Sequence, residues 1–170
     1  ASADVGEGLA AEVQPAGGVH FRVWAPRCQR VQLLVLSAAG DARDALPLEK
    51  EPAGYFSRQV PNATAGDRYF YLLDDDETRL PDPASRFQPE GPHGSSEIVD
   101  PSAYPWRNGS WKGVGLPGQV IYELHVGTFT PEGTWAAAAA QLAELAAAGI
   151  TLIEVMPVAQ CAGRFNWGYD

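Results

Sequence analysis

The chain has 170 residues, of which 45% are hydrophobic and 19% charged, and its formal net charge at pH 7 is −9. This composition predicts a globular protein, and no apolar run is long enough to predict a membrane span. The acidic balance argues against a nucleic-acid partner, because phosphate binding requires a cationic surface. No basic segment followed by an apolar segment opens the chain, so we expect no signal peptide and a cytoplasmic protein.

Residues 1–100 show short strand patterns separated by turns. Apolar residues alternate with others in Val19–Trp24 and in 31–35, and two further strand patterns, Tyr55–Val60 and Arg68–Leu73, flank a polar turn at 61–67. Strands at this spacing, with no helical period between them, predict an antiparallel sandwich. The inward side chains of two facing sheets are then expected to form its core.

Five aromatic residues in these strands allow two interpretations. Trp24, Tyr55, Phe56, Tyr69 and Tyr71 could form a platform on which sugar rings stack. They could instead be core residues and cross-strand pairs, since aromatic side chains favour strands. The alternation of the strands already accounts for them, so the second interpretation is favoured.

Other polar residues of the chain predict neither a metal site nor a cofactor site. The acidic run at 74–77 lacks the alternating ligands and the glycine of a calcium loop, which predicts an exposed turn. The cysteines, Cys28 and Cys161, have no metal or redox spacing and are expected to be unpaired thiols in a reducing cytoplasm. His93 has no partner at metal-ligand spacing.

The segment 80–96 contains too much proline and glycine for a regular element. By composition alone it is typical of a linker. A last sandwich strand is expected over 97–101. Residues 101–119, which include Trp106 and Trp111, then form a predicted connector.

Residues 120–170 predict a strand, a helix and a second strand. The first strand is expected over 120–126, the helix over 135–148 and the second strand over 150–156. Thr134 is a predicted N-cap and Gly149 a predicted left-handed C-cap. Ala138, Leu142 and Leu145 are expected to share one helix face. The second strand is almost continuously apolar, which fits burial on both faces, and the two strands are expected to be parallel.

Several of these motifs resemble α-amylase-family glycoside hydrolases. Residues 121–130 (IYELHVGTFT) resemble that family's first barrel strand, 153–158 (IEVMPV) its second, and 166–170 (NWGYD) the loop that follows. Residues 21–26 (FRVWAP) and 66–71 (GDRYFY) resemble strands of the immunoglobulin-like domain that precedes the barrel in branching enzymes, isoamylases and trehalohydrolases. The segment 80–96 resembles, with departures at Pro92 and Ser96, the connector of malto-oligosyltrehalose trehalohydrolases.

The resemblance implies a mostly β chain in three parts. Residues 1–100 are expected to form an immunoglobulin-like β-sandwich, 101–119 a connector, and 120–170 the first β-α-β unit of an incomplete (β/α)8 barrel. By resemblance, the whole enzyme cleaves the α-1,4 bond next to the terminal trehalose of maltooligosyl trehalose by a retaining mechanism and releases trehalose. The alternatives are a fragment of a glycogen branching or debranching enzyme, or a non-catalytic carbohydrate-binding module.

The expected partners are maltooligosyl trehalose or another α-glucan and the remainder of the barrel, with no nucleic acid, membrane, metal or cofactor. The family's catalytic carboxylates come from later barrel strands, so we expect no catalytic residue here and no activity from the 170 residues alone. Glu123 and Glu154 match no catalytic motif. The resemblance makes Tyr169 the floor of the cleavage subsite and Asp170 a hydrogen-bonding residue there. Two neighbours complete the predicted substrate-binding set, Trp167, chiefly as a packing residue, and Asn166.

Overall fold

The structure, a computed structural model, describes residues 8–37, 42–163 and 166, with the backbone alone for 42–44. The chain divides into two compact units, Ala1–Pro105 and Trp106–Asp170. No helix among the described residues combines the length and the apolar character needed to cross a membrane.

The described part of the first unit contains eight strands in two antiparallel sheets. They are β1 (Ala10–Val13), β2 (Val19–Trp24), β3 (Val31–Leu36), β4 (Ala42–Pro47), β5 (Glu49–Lys50), β6 (Tyr55–Val60), β7 (Arg68–Leu73) and β8 (Ser96–Glu97). One sheet has the order β1-β2-β6-β5 and the other the order β4-β3-β7-β8. Short 3-10 turns occur at Pro52–Gly54 and Pro101–Ala103.

The core of this unit lies between the two sheets. Alternate residues of β2, such as Phe21, pack with alternate residues of β3, such as Leu33, and with Phe56, Tyr69 and Tyr71 of β6 and β7. Phe21 and Tyr69 meet edge to face, with ring centroids 5.0 Å apart. The predicted antiparallel sandwich is therefore confirmed, and alternation of side chains between core and solvent explains its sequence pattern.

Sequence patterns predicted the inner strands of both sheets but not most of the edge strands. The predicted strands Val19–Trp24, Tyr55–Val60 and Arg68–Leu73 are confirmed at those bounds. The strands β1, β4 and β5 were not predicted, and β8 lies at Ser96–Glu97 instead of 97–101. All four are outermost in their sheets. Edge strands are short and tolerate proline and charge, so their hydrophobic pattern is weak.

The aromatic residues divide by burial. Phe56, Tyr69 and Tyr71 are at most 2% exposed, which confirms the core interpretation for these three. Trp24 differs, because 57% of it is exposed. Tyr55 is half-buried, and the Arg22 guanidinium lies over its ring at 4.2 Å from the centroid.

The irregular segment 80–96 packs on the sandwich at several points. Leu80 forms an isolated antiparallel bridge with Tyr71 of β7. Asp82 accepts a hydrogen bond from the hydroxyl of Tyr69 in the same strand. Arg86 Nη1 donates to the carbonyl of Ala11 in β1, at 2.6 Å. The segment is thus irregular, as predicted, but it is docked on the module and is not a free linker.

The second unit contains a parallel strand pair, β9 (Ile121–Leu124) and β10 (Leu152–Val155), with Leu152 opposite Ile121. Between them lie three short helices, α1 (Val126–Phe129), α2 (Trp135–Ala140) and α3 (Leu142–Ala147). The predicted β-α-β order and the parallel pairing are confirmed. The first strand ends at Leu124 instead of residue 126, because the chain turns into α1 there.

The helix termini follow the predicted capping, whereas the predicted continuous helix is divided in two. Thr134 Oγ1 accepts from Ala137 N at 3.2 Å, and Gly149 has φ +97° with the Schellman bond Ile150 N to Leu145 O at 3.0 Å. The predicted single helix is interrupted at Gln141.

One burial expectation fails in this unit. On the helices, Ala138 is buried and Leu142 is 45% exposed. Val155 of β10 is 38% exposed, so this strand is not buried on both faces. The pairing of β10 is with β9, and a two-stranded pair offers too little cover for both of its faces.

Candidate functional site

Polar residues meet where the two parallel strands end. His125 directly follows β9, and Pro157 lies two residues beyond β10. Because parallel strands end at the same edge of a sheet, both residues lie at one edge. A cleft of about 160 Å³ opens there. Its lining residues are His125, Val126, Gly127, Pro157, Val158, Ala159, Cys161 and Asn166.

The side chain of Asn166 connects the two strand ends. Its Nδ2 donates to the carbonyl oxygen of Pro157 at 2.8 Å. Its Oδ1 contacts Nε2 of His125. Since an amide oxygen can only accept, Nε2 of His125 carries the proton in this arrangement. Asn166 therefore uses a donor and an acceptor on one short side chain, each toward a different strand end.

His125 is fixed at its backbone as well as through its ring. Its carbonyl oxygen accepts from Thr128 N and from Phe129 N, both at 3.0 Å, at the start of α1. Its other ring nitrogen, Nδ1, is buried and has no hydrogen-bond partner among the described residues. Sequence reasoning missed this residue, although a polar side chain at the carboxyl end of a barrel-type strand was the available signal.

Of the four substrate-binding residues predicted from the sequence, the structure describes Asn166 alone. Tyr169, Asp170 and Trp167 lie outside the described residues. Asn166 is half-buried and lines the cleft at the strand ends. Its predicted contact with substrate stays a prediction.

The two glutamates of the parallel pair lie elsewhere. Glu154 is directly opposite Glu123 in the register of β10 and β9, and both residues are exposed. Each is the third residue of its four-residue strand. Neither lines the strand-end cleft. Among the described residues, no group of three or more His, Cys, Asp or Glu is placed to hold a metal ion.

The sandwich carries a second cleft beside an exposed aromatic ring. The ring of Trp24 is oriented by a hydrogen bond from its Nε1 to the carbonyl oxygen of Ala53, at 3.0 Å. The adjacent cleft has a volume of about 210 Å³. Its lining residues are Leu9, Arg22, Val23, Trp24, Asp82, Pro83 and Ala84. A rigid, exposed indole next to a concave surface is suited to stacking on an apolar face of a ligand.

The carboxyl of Asp82 is buried at the rim of this second cleft, and Asp82 is only 3% exposed. Burial raises its pKa above the ordinary value, although bonds from Tyr69 and from Ala84 N and the charge of Arg86 act in the opposite direction. Burial also raises the pKa of Tyr69, and the neighbouring Asp82 raises it further. Both groups are therefore neutral over a wider pH range than they are in water.

The fold of the first unit defines the class of protein to which that unit belongs. It is an antiparallel β-sandwich module, and a β-α-β unit with parallel strands follows it in sequence. Residues 8–103 match the family described as carbohydrate-binding module 48, the isoamylase N-terminal domain. The chain belongs to this family.

Curated relatives extend the similarity over both units. The malto-oligosyltrehalose trehalohydrolase of Saccharolobus solfataricus is 45% identical over 153 residues, which cover 90% of this chain and 26% of the relative. The enzyme of that name from Rhizobium sp. M-11 is 47% identical over 164 residues, again 26% of its length. These relatives confirm the expected resemblance to malto-oligosyltrehalose trehalohydrolases.

A solved structure resembles the chain in the same way. The crystal structure of a Salmonella typhimurium protein assigned as an alpha amylase superposes with a TM-score of 0.83 at 44% identity, over 97% of this chain and 27% of that protein. The chain thus spans about a quarter of the length of the proteins it matches.

Proposed function

We propose that this chain is the N-terminal part of a malto-oligosyltrehalose trehalohydrolase, in which residues 120–170 begin a (β/α)8 catalytic barrel. The observation that carries the proposal is identity of 45–47% over at least 90% of the chain to enzymes of that name. The whole enzyme hydrolyses the α-1,4 bond next to the terminal trehalose of maltooligosyl trehalose. This chain contributes the sandwich and one wall of the substrate site.

The exposed apolar side chains of the second unit support a larger barrel. Val120, Ile121, Tyr122 and Val155 are between 37% and 49% exposed along the parallel pair. Burial of a side chain of this size contributes about 1.5–3 kcal/mol. Further strands and helices of a barrel cover such residues.

The cleft at the strand ends supports a sugar-binding role. Barrel enzymes place their sites at the carboxyl ends of the strands, where His125, Pro157 and Asn166 lie. The segment that follows Asn166 in sequence supplies Tyr169, which we expect to stack on the sugar ring at the cleavage point. Asp170 hydrogen-bonds sugar hydroxyls in this proposal, and Trp167 packs against the loop.

The chemical step belongs to residues beyond this chain. Retaining hydrolysis uses one carboxylate as nucleophile and one carboxylic acid as proton donor, about 5–5.5 Å apart. Glu123 and Glu154 are exposed and outside the cleft, which makes them unsuited to these roles. The residues of this chain bind and orient the sugar.

The test uses the gene product extended beyond Asp170 to the length of its relatives. Incubation with maltooligosyl trehalose is expected to release free trehalose. The variant Tyr169→Ala should lose most of the turnover with little change in Tm, and Tyr169→Phe, which keeps the ring, should retain much of it. Absence of trehalose from the wild-type extended protein, or formation of branched glucan instead, would contradict the proposal.

A second candidate function is favoured by the family of the sandwich and by Trp24. The family is described as a carbohydrate-binding module, and Trp24 presents an exposed indole held in place by Ala53. In this alternative, the module binds α-glucan by itself without hydrolysis. The two functions are compatible, because a binding module can hold the polymer that the barrel cleaves.

A further inference from the structure

The loop that leaves β10 is attached at a defined point to both strand ends. Asn166 Nδ2 donates to Pro157 O within its own loop, nine residues back in sequence. Its Oδ1 accepts from His125 Nε2, 41 residues back and on the other strand. One side chain thus closes the loop on itself and also joins it to the neighbouring strand end.

This double contact restricts the residue types that can make it. Aspartate has two acceptors and lacks the donor for Pro157 O, and leucine has neither group. On the other side, the ring of His125 presents a donor from Nε2 when that nitrogen is protonated. The two residues are therefore complementary in donors and acceptors as well as in position.

Among the described residues, each polar atom of His125 is either hydrogen-bonded or buried. Nε2 is used by Asn166, and Nδ1 is buried away from solvent without a partner among the described residues. Its backbone carbonyl is used by the first turn of α1. We therefore infer that His125 acts on a bound sugar through its hydrogen bond to Asn166.

The geometry points to His125 and Asn166 as a positioning pair that joins the carboxyl ends of β9 and β10 at the strand-end cleft. This inference rests on the proposed function for its catalytic consequence, and on the two hydrogen bonds for the pair itself. Trp167, Tyr169 and Asp170 follow Asn166 directly in sequence. A displacement of about 1 Å in a group that orients substrate can lower the rate about a hundredfold.

The first experiment uses the extended, catalytic protein. His125→Phe keeps a ring and removes the donor, and Asn166→Leu removes both contacts. Each is expected to lower kcat about 10- to 100-fold. His125→Gln supplies an amide donor and should restore most of kcat. Thr134→Ala is the matched control, because it weakens the cap of α2 in the same unit and leaves the pair intact. It should lower Tm without lowering kcat.

Two results of this experiment would contradict the positioning role of the pair. One is wild-type kcat in His125→Phe and in Asn166→Leu. The other is equal loss of kcat in His125→Gln and His125→Phe, because the donor would then not be the property that matters. Inactivity of the wild-type extended protein on maltooligosyl trehalose would count against the proposed function alone.

The second experiment tests the hydrogen bond between His125 and Asn166 without any substrate. The chain has three histidines, His20, His93 and His125, and ¹⁵N-histidine labelling of the 170-residue chain resolves their tautomers, with His125→Phe providing the assignment. We expect His125 to be protonated at Nε2 and bare at Nδ1. In Asn166→Leu the resonances of Nε2 and its proton should shift, because Nε2 loses its hydrogen-bond acceptor. An unchanged His125 spectrum in Asn166→Leu, or protonation at Nδ1 in the wild type, would overturn the pair whatever the enzyme does.

Discussion

The phenolic hydroxyl of Tyr69 donates a hydrogen bond of 2.7 Å to Oδ2 of Asp82, and both side chains are buried. Tyr71 lies two residues further along the same strand, and its equally buried hydroxyl has no partner among the described residues. The same strand therefore contains two core tyrosines, of which one has a hydrogen-bonded hydroxyl and the other does not among the described residues. This difference gives a matched pair of substitutions.

We predict that Tyr69→Phe destabilises the chain and that Tyr71→Phe does not. Removal of the Tyr69 hydroxyl leaves Asp82 Oδ2 buried without its donor, which costs about 1–3 kcal/mol. Removal of the Tyr71 hydroxyl eliminates a buried polar group without a described partner, so stability should stay the same or rise. Urea denaturation of the three proteins measures both effects. Equal losses in the two variants would show that volume, and not the hydrogen bond, decides.

The pKa of Asp82, raised by burial, predicts a pH dependence of stability. The folded chain holds the Asp82 proton to a higher pH than the unfolded chain does. The contribution of this proton binding to the free energy of unfolding is therefore complete below the ordinary pKa of aspartate, about 3.9. It is lost as the pH rises through the raised pKa of the folded chain. Asp82→Asn carries no such titration.

The measurement is the free energy of unfolding of wild type and Asp82→Asn between about pH 4 and pH 7. The wild type should lose stability relative to the variant as the pH rises. Tyr69, Tyr71 and Arg86 also act on this carboxyl or are acted on by it, but only Asp82 differs between the two proteins. A difference that is constant with pH, or that changes in the opposite direction, would contradict the raised pKa.

Trp24 should control any glucan binding by the sandwich. Loss of a stacking indole is expected to weaken the affinity of the 170-residue chain for maltoheptaose about tenfold or more, a change of about 1.4 kcal/mol. Isothermal titration calorimetry of wild type and Trp24→Ala measures it. Trp111→Ala is the control, because Trp111 is also exposed, at 64%, but belongs to the second unit. Equal weakening in both variants would argue against a site at Trp24.

We expect no glycosidase activity from the 170-residue chain alone. Glu123 and Glu154 are register partners on adjacent strands, which are about 4.8 Å apart, so their carboxyl groups can approach the separation that retaining enzymes use. They are exposed, however, and neither lines the strand-end cleft in which a sugar could be oriented. Orientation and proximity can lower a barrier by about 7–11 kcal/mol, and an open surface supplies little of this.

The assay for this prediction incubates the chain with maltooligosyl trehalose and measures free trehalose against a buffer blank. Release at the blank level is the expected result. Release above the blank that disappears in Glu123→Gln or Glu154→Gln would place the chemistry on these strands.

The sequence predicted what depends on local pattern and missed what depends on distant partners. Apolar and polar residues alternate clearly in inner strands such as β2 and β7, so these strands were predicted. Thr134 and Gly149 were predicted as caps because capping signals are local. Edge strands have weak patterns and were mostly missed. In the candidate site, Asn166 was named through resemblance to a family motif. His125 was overlooked because its role depends on a hydrogen bond to a residue 41 positions away.

The docked segment 80–96 has a consequence for the order in which the module folds. Arg86 bonds to the carbonyl of Ala11, 75 residues earlier in the chain, while Leu80 pairs with Tyr71 of the opposite sheet. The segment therefore links the first strand of one sheet to the other sheet. Contacts over such a sequence distance form slowly, because the chain must first lose the entropy of a long loop. During synthesis on the ribosome, β1 therefore cannot form this contact until Arg86 has emerged.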